Sequence, residues 1–419
     1  MTERHNHPSS QPGTDGSGSK AVVADEHFIG MLSGTSRDGV DAVLVNFSRD
    51  GMRILHAVCV QYPSALRQKL DQLLATGQAP AQDLASALDD QLGQFFARVA
   101  QNLVSEAGME MRDITAIGSH GQNVWHQPFG DQPVSLQLGN PRIIARNTST
   151  VTVGNLRSAD VEAGGQGAPL APLLHLEIFS SSDEDRAVLN IGGIANLTLL
   201  PHSGDVSGEA STSGQGSGPG DTHSKVSGDS VSGFDTGPGN CLMDAWCMRH
   251  LKKTYDDNGR WAATGSVNDA LLQRMLADPY FAQPAPKSTG LELFSESWLD
   301  NILQGASSEI SPADVQATLA ELTARSIADS LRGAGKAKRL LVCGGGTHNQ
   351  FLMRRLTANL PDVIVETTQR YGVDPDWVEG LLFAWLARER LNERKQNTPP
   401  ITGASAPVLL GDIHHPPGN

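Results

Sequence analysis

The chain twice lays down a strand, interrupts it with a glycine turn and resumes it. No other feature constrains its fold as much. Near the start, Phe28–Leu32 runs into Ser33-Gly34-Thr35-Ser36-Arg37-Asp38-Gly39, and Val40–Phe47 resumes the strand pattern. In the middle, Ala187–Ile191 meets Gly192-Gly193, and Ile194–Leu200 follows. Ile54–Tyr62 adds a third strand to the first meander. Alternating segments follow each meander. In the first half, helical spacing at Ser64–Leu74 and Leu84–Val104 precedes strand-like Ile114–Ile117, Val134–Leu138 and Thr150–Val153. In the second half, helices at Cys241–His250, Asn268–Leu276, Asp314–Leu331, Asn349–Leu360 and Asp376–Arg390 surround strands at Arg339–Val342 and Val363–Thr367. This layout predicts an α/β chain built from two comparable halves.

Its 419 residues exceed one compact core and suggest about two domains. Residues 1–26 read as a disordered tail, 27–180 as the first lobe and 181–419 as the second, with the extreme C-terminus free to return to the first. Residues 201–233, rich in Ser, Gly, Thr and Asp, read as a flexible insertion. The net charge of -14 argues against nucleic acid as a partner. The first 20 residues lack the apolar run of a signal peptide, and no stretch is long and apolar enough to span a membrane. Cys59, Cys241, Cys247 and Cys343 form no CxxC pair and no zinc pattern, so a reduced, cytoplasmic chain is expected.

Several glycine-rich stretches carry the chemistry. SGTSRDG reads either as a plain hairpin loop or as a nest of backbone N–H groups and hydroxyls around an anion. In the second case Asp38 or Asp41 could place Mg²⁺. LNIGGIAN supplies a comparable turn at the second meander. Leu341-Val342-Cys343-Gly344-Gly345-Gly346-Thr347 supplies a third between strand and helix, where a helix N-terminus favours an anion or nucleotide. Three such turns in this order suggest one nucleotide held between two lobes. GxxxxGK[ST], a strand-borne GxGxxG, HExxH and GxSxG are all absent, which disfavours P-loop, dinucleotide, zinc-protease and α/β-hydrolase readings. In GFDTGPGN, Asp235 reads as a general base on a rigid loop; the alternative is a turn in which Asn240 or Thr236 caps the helix from Cys241. Gly164-Gly165-Gln166-Gly167 offers a close-approach surface. Arg157 and Asp160 upstream form a surface ion pair in the plain reading. His120 and Gln122 in GSHGQ suit sugar hydroxyls or a loop. Glu379 sits near the start of a helix.

Ten ordered motifs, FIGMLSGTSRDGVD, AIGSHGQNVWHQP, SLQLGN, EAGGQGAPLAP, LNIGGIANLT, GFDTGPGNCLMDAW, YFAQPAPKSTG, DVQATLAELTA, LLVCGGGTHNQFL and DWVEGLLFAWLA, resemble those of the anhydro-N-acetylmuramic acid kinases from about Phe28 to Gly411. The resemblance implies the two-lobed α/β fold of the actin, Hsp70 and sugar-kinase superfamily, with ATP in the cleft. It implies cleavage of the 1,6-anhydro ring by water with phosphorylation of O6, in cell-wall recycling. SGTSRDG looks like the first phosphate loop, which sets Gly34, Thr35, Ser36, Arg37, Asp38, Gly39, Val40 and Asp41 against ATP. Gly192, Gly193 and Asn196 belong to the second phosphate loop, and Gly344, Gly345 and Gly346 to the adenosine side. Asp235 matches the catalytic base. Glu379, His120, Gln122, Arg157, Gly165 and Gln166 fall on the sugar side. Mg²⁺, held by Asp38 and Asp41, would accompany ATP. A homodimer is also implied.

The chain departs from the family pattern at four places. Arg37 stands where an apolar residue is usual, Asn155 where a carboxylate is common, Ser158-Ala159 in place of a basic pair, and His348 where Arg is common. The other readings are a kinase of the same fold acting on an ordinary sugar hydroxyl, and a non-catalytic nucleotide switch.

Overall fold

The computed structural model describes residues 25–34, 39–49, 51–75, 79–202, 231–285, 287–305, 310–335 and 337–418. Twelve strands among them form two sheets. The first contains β1 (Glu26–Ser33), β2 (Gly39–Ser48), β3 (Gly51–Gln61), β4 (Ala116–Gln127), β5 (Val134–Leu138), β6 (Thr152–Gly154) and β12 (Asp412–His414). Its order is β12-β6-β4-β1-β2-β3, with β5 paired to β4. The second contains β7 (Arg186–Ile191), β8 (Ile194–Leu200), β9 (Ser232–Pro238), β10 (Arg339–Cys343) and β11 (Ile364–Thr367), in the order β11-β10-β7-β8-β9.

The two sheets share a five-strand order, to which the first adds β12 and β5. In each sheet the first three strands form an antiparallel meander, and two later strands join parallel on the other side of the first. The duplication read from glycine turns is therefore a duplication of topology, and the two-lobed α/β architecture expected of an actin-like sugar kinase is the one observed. The boundaries differ in detail. β1 begins at Glu26, inside the stretch expected to be tail, and β9 begins at Ser232, inside the stretch expected to be insertion. The rest of that insertion, 203–230, and residues 1–24 lie outside the described residues.

Strands covered on both faces need apolar residues on both faces. In β1, Ile29 and Met31 pack under the helices Ser64–Leu74 and Gln82–Glu106, whereas Phe28 and Leu32 face the other way. That other side is a core shared by both sheets: Phe28, Val43 and Ala116 from the first meet Val188 and Leu341 from the second. A further core covers the outer face of the second sheet, under helices that include Cys241–Leu251 and Pro312–Ala334.

The helix Val378–Leu391 fills the shared core. Its sequence spacing suggested one apolar face, through Val378, Leu381, Leu382 and Trp385. The structure buries it nearly all round, including Phe383, Ala384, Leu386 and Ala387. A helix wedged between layers has no solvent face to keep polar. It sits against backbone: a Cβ at Gly30 would lie 1.9 Å from the Gly380 carbonyl oxygen, and one at Gly118 would lie 2.0 Å from that of Phe383. Neither obstacle is a side chain that can rotate away.

Gly30→Ala and Gly118→Ala are therefore expected to destabilise the fold by about 3 kcal/mol or more. Gly333→Ala, with nothing within 4 Å of the added methyl, is the matched control and should be neutral or mildly stabilising. Urea unfolding of the three variants checks this; equal midpoints would contradict the packing account.

Candidate active site

The inward sides of both sheets turn polar where the shared core ends. Side chains alternate along a strand, so residues two apart share a face. Asp41 lies two residues before Val43 on β2, His120 two after Gly118 on β4, and Asn190 two after Val188 on β7. The cleft walls are thus continuations of the same faces that build the core.

On the first wall, Thr35, Ser36, Arg37 and Asp38 lie outside the described residues. The ends of their loop are tied together. Ser33 Oγ lies 2.7 Å from the Gly39 carbonyl oxygen and 2.6 Å from Gln122 Oε1, and Gln122 Nε2 donates to the Gly34 carbonyl at 3.3 Å. Gln122, expected on the sugar side, is spent on holding this loop. Gly39 and Val40 are strand residues opposite Gln61 and Val60, and the Val40 side chain is buried in the first core, so Val40 presents no side chain to a nucleotide.

GSHGQ is part of β4 and not a loop. His120 is buried and stacks on Phe383 with ring centroids 4.7 Å apart. Its Nε2 accepts from Arg157 Nε at 2.9 Å. Its Nδ1 lies 3.1 Å from the Gly121 carbonyl, which can only accept. The ring is therefore the neutral Nδ1–H tautomer, and burial together with the Arg157 charge holds its pKa well below the usual value. With both nitrogens engaged, His120 positions Arg157 and has no ring nitrogen left for a sugar.

Arg157 does not form the surface ion pair with Asp160 that the sequence suggested; Asp160 is fully buried elsewhere. Burial lowers the Arg157 pKa to about 10, with Glu379 opposing. Glu379 lies in the first turn of the helix Val378–Leu391 and opens to the cleft. Crowding by surrounding protein raises its pKa first, nearby Asp41 raises it further, and Arg157 opposes both. Cys343, from the second sheet, also feels Glu379. Glu379 therefore sits where the two walls meet.

On the second wall, register places Cys343, Asn190, Asn196 and Asp235 in one row across β10, β7, β8 and β9. Asp235 is on a strand, not on the loop expected for it. Its amide donates to the Lys287 carbonyl at 2.9 Å, and its own carbonyl accepts from Tyr280 Oη at 2.8 Å. Its Oδ2 accepts from Ser288 Oγ at 3.0 Å and from the Thr289 amide at 2.9 Å. Among the described residues no hydrogen bond reaches Oδ1. Desolvation raises the Asp235 pKa, and the Thr289 and Ser288 bonds pull it back. Nothing in the spacing of YFAQPAPKSTG signals that its Ser288 and Thr289 meet Asp235.

The Gly192–Gly193 turn is packed against the start of the helix Cys241–Leu251. The Gly192 carbonyl accepts from the Asn240 amide at 2.8 Å, and the Gly193 carbonyl from the Gly239 amide at 2.9 Å. Asn240 makes no side-chain cap; its Nδ2 donates to the Ile191 carbonyl at 3.1 Å. Gly344, at φ 82°, turns the chain beside Asn190, and its amide donates to Pro375 at 2.9 Å. Next to Gly345 opens a cavity of about 450 Å³, lined by Asn240, Asp244, Tyr255, Asp256 and His348 among others. Its size suits a nucleoside. His348, the departure from Arg, pairs there with Asp376 at 2.8 Å.

Gly165 and Gln166 lie on a loop beside a larger cavity of about 940 Å³, which also touches Phe234 and Lys287. Asn155, at φ 53°, donates to Asp412 Oδ2 at 2.8 Å. A carboxylate there would face Asp412, so an amide suits this neighbour.

The sequence model of the anhydro-N-acetylmuramic acid kinase family matches residues 26–225 and 223–416. A curated anhydro-N-acetylmuramic acid kinase of Xanthomonas oryzae pv. oryzae (strain MAFF 311018) is 46% identical over 392 residues, covering 92% of this chain and 97% of that protein. One of Pasteurella multocida (strain Pm70) is 43% identical over 394 residues, covering 93% and 97%.

Asp244 makes the nucleoside-sized cavity sensitive to pH. Burial, and then Asp256, raise its pKa to about 7. Asp256 itself accepts the Trp261 and Ala262 amides at 2.8 Å each. Because the folded state holds the Asp244 proton longer than the unfolded state, this group makes stability fall as pH rises from about 4 to about 7. Asp244→Asn should remove that decline and stabilise the protein at pH 8, measured by unfolding across the range. An unchanged pH dependence would contradict the assignment.

Proposed function

This chain belongs to the anhydro-N-acetylmuramic acid kinase family, and from that membership we propose that it opens the 1,6-anhydro ring of anhydro-N-acetylmuramic acid with water and transfers the ATP γ-phosphoryl group to O6. The products are N-acetylmuramic acid 6-phosphate and ADP. The observation that carries the reading is the Asp235 carboxylate, fixed at Oδ2 and, among the described residues, without a hydrogen bond at Oδ1.

A base must accept a proton while its geometry is held. Asp235 Oδ1 takes a proton from water, the water oxygen bonds to C1, and the C1–O6 bond breaks. The electron pair stays on O6, which attacks the γ-phosphorus as ADP leaves. Asp235 then returns its proton to solvent. Burial raises the affinity of Asp235 for that proton, while Ser288 and Thr289 keep the group charged enough to start. Arg157, oriented by His120, offsets negative charge on the acceptor side of the cleft. Gly165, Gln166 and Glu379 face the sugar in this reading. The turns at Gly34, at Gly192–Gly193 with Asn196, and at Gly344–Gly346 face the nucleotide.

Mg²⁺ fits the first wall. Asp41 and Glu379 repel each other, and Mg²⁺ favours one or two carboxylates completed by phosphate oxygens. Asp41 would hold it, with Asp38 from the loop outside the described residues. The ion, when bound, offsets charge on the β- and γ-phosphates. Cytoplasmic location and a homodimer come with the family resemblance. The free thiols of Cys241, Cys247 and Cys343 support a reducing compartment. No helix among the described residues is long and apolar enough to cross a membrane.

Asp235→Asn is expected to lower kcat by about 10²–10⁴-fold with ATP still bound. Activity should fall as pH drops through the Asp235 pKa, at a pH above that of an ordinary aspartate. Ser288→Ala removes a bond to the charged form, so it should move that acidic limb to higher pH, by up to about one unit. The kcat/KM profile checks both; a near-active Asp235→Asn enzyme would refute the base.

A further inference from the structure

The loop that carries Gly165 and Gln166 is held from both sides, and one of its holders comes from the far end of the chain. Asp160 is fully buried. Its Oδ2 accepts from the Gly167 amide at 2.7 Å, and its Oδ1 accepts from Thr402 Oγ1 at 2.8 Å. Its carbonyl accepts from the Gly165 amide at 2.8 Å. A Cβ at Gly165 would lie 2.3 Å from Asp160 Oδ2, so the loop closes on this carboxylate only through glycine. From the other side, the Gln166 amide donates to the Thr402 carbonyl at 3.0 Å, and the Ser405 amide donates to the Ala163 carbonyl at 2.9 Å.

A fully buried carboxylate is tolerated only when its oxygens are bonded. Here both are: one bond comes from the loop at Gly167, the other from Thr402, whose carbonyl in turn holds the Gln166 amide. Arg157 begins the short helix Ser158–Glu162 that carries Asp160, so the guanidinium and the loop share one support. Gln166, Thr402 and Gly403 line the cavity of about 940 Å³ together with Ser232, Gly233 and Phe234, the three residues before Asp235. The C-terminal turn thus shares a cavity with the strand that carries Asp235.

We propose that Asp160 and Thr402 are positioning residues for the sugar acceptor: they lock the Gly165–Gly167 loop against the C-terminal turn, in the shape that binds the anhydro sugar. This rests on the reading above that Gly165 and Gln166 face the sugar. Thr402→Val keeps the shape of the side chain and removes the hydroxyl that bonds Asp160. In the full-length protein it should raise KM for the anhydro sugar roughly tenfold, the loss of one hydrogen bond to a charged group. KM for ATP and kcat should stay within about twofold. Thr402→Ser restores the hydroxyl and should restore the sugar KM.

An unchanged sugar KM in Thr402→Val overturns the proposal. So does a parallel rise in both KM values, or a Thr402→Ser enzyme as impaired as Thr402→Val, since either marks a general loss of structure. Where Thr402→Val does not fold, Asp160→Asn is read in the same way. Gln166→Ala separates the two levels of inference. If it leaves the sugar KM unchanged, the loop does not face the sugar and both readings fall. If it raises the sugar KM while Thr402→Val does not, only the positioning role falls.

Discussion

The contact of the helix Val378–Leu391 with the bare backbone of β1 and β4 is the constraint on which the rest depends. Gly30 and Gly118 let the helix approach closer than any side chain would allow. Gly380 does the same in reverse: a Cβ there would meet Val43 at 2.8 Å. The contact fixes the depth and the axial position of the helix at once. Its first turn then delivers Glu379 to the place where Asp41 and Arg157 act on it and where it acts on Cys343. A polar cleft follows from an apolar wedge: the same strand faces bury Val43 and Val188 beneath it and turn Asp41 and Asn190 into the space beyond its end.

The two walls hold charge in different ways. The first is a relay of held groups. Phe383 stacks His120, His120 orients Arg157, and Arg157 faces Glu379, which Asp41 repels. Keeping His120 neutral matters, because a second cation beside Arg157 would undo the hydrogen bond. On the second wall, the described residues hold the carboxylate by one oxygen. Ser288 and the Thr289 amide restrain Asp235 at Oδ2, and among the described residues no hydrogen bond reaches Oδ1, as the proposed role of base requires. Asp160 shows the contrast: fully buried and bonded at both oxygens, it has nothing left to give.

The sequence carried the duplicated topology, because two meanders with glycine turns leave a pattern that periodicity detects. Motif order also pointed to Asp235, Glu379 and Arg157, whose roles rest on the family resemblance. GSHGQ and GFDTGP were misread as loops. Their glycines mark close approach to another backbone, as at Gly118, and positions within strands, and do not mark turns. The partners that hold the site were hidden for a different reason. Thr402 reaches Asp160 across 242 residues, and Thr289 reaches Asp235 across 54. No local spacing records such pairs. The buried roles of His120 and Gln122 were hidden too, since a residue type that suits a sugar also suits a neighbouring backbone.

In the proposed reaction one carboxylate, Asp235, couples attack of water at C1 to phosphorylation at O6. Mass spectrometry of the product formed from the anhydro sugar and Mg-ATP in ¹⁸O-water, sampled before the free anomeric hydroxyl exchanges, tests it directly. The account predicts one phosphate and one ¹⁸O on the same sugar, both lost together in Asp235→Asn. A phosphorylated product with its ring intact, or normal labelled product from Asp235→Asn, would contradict it.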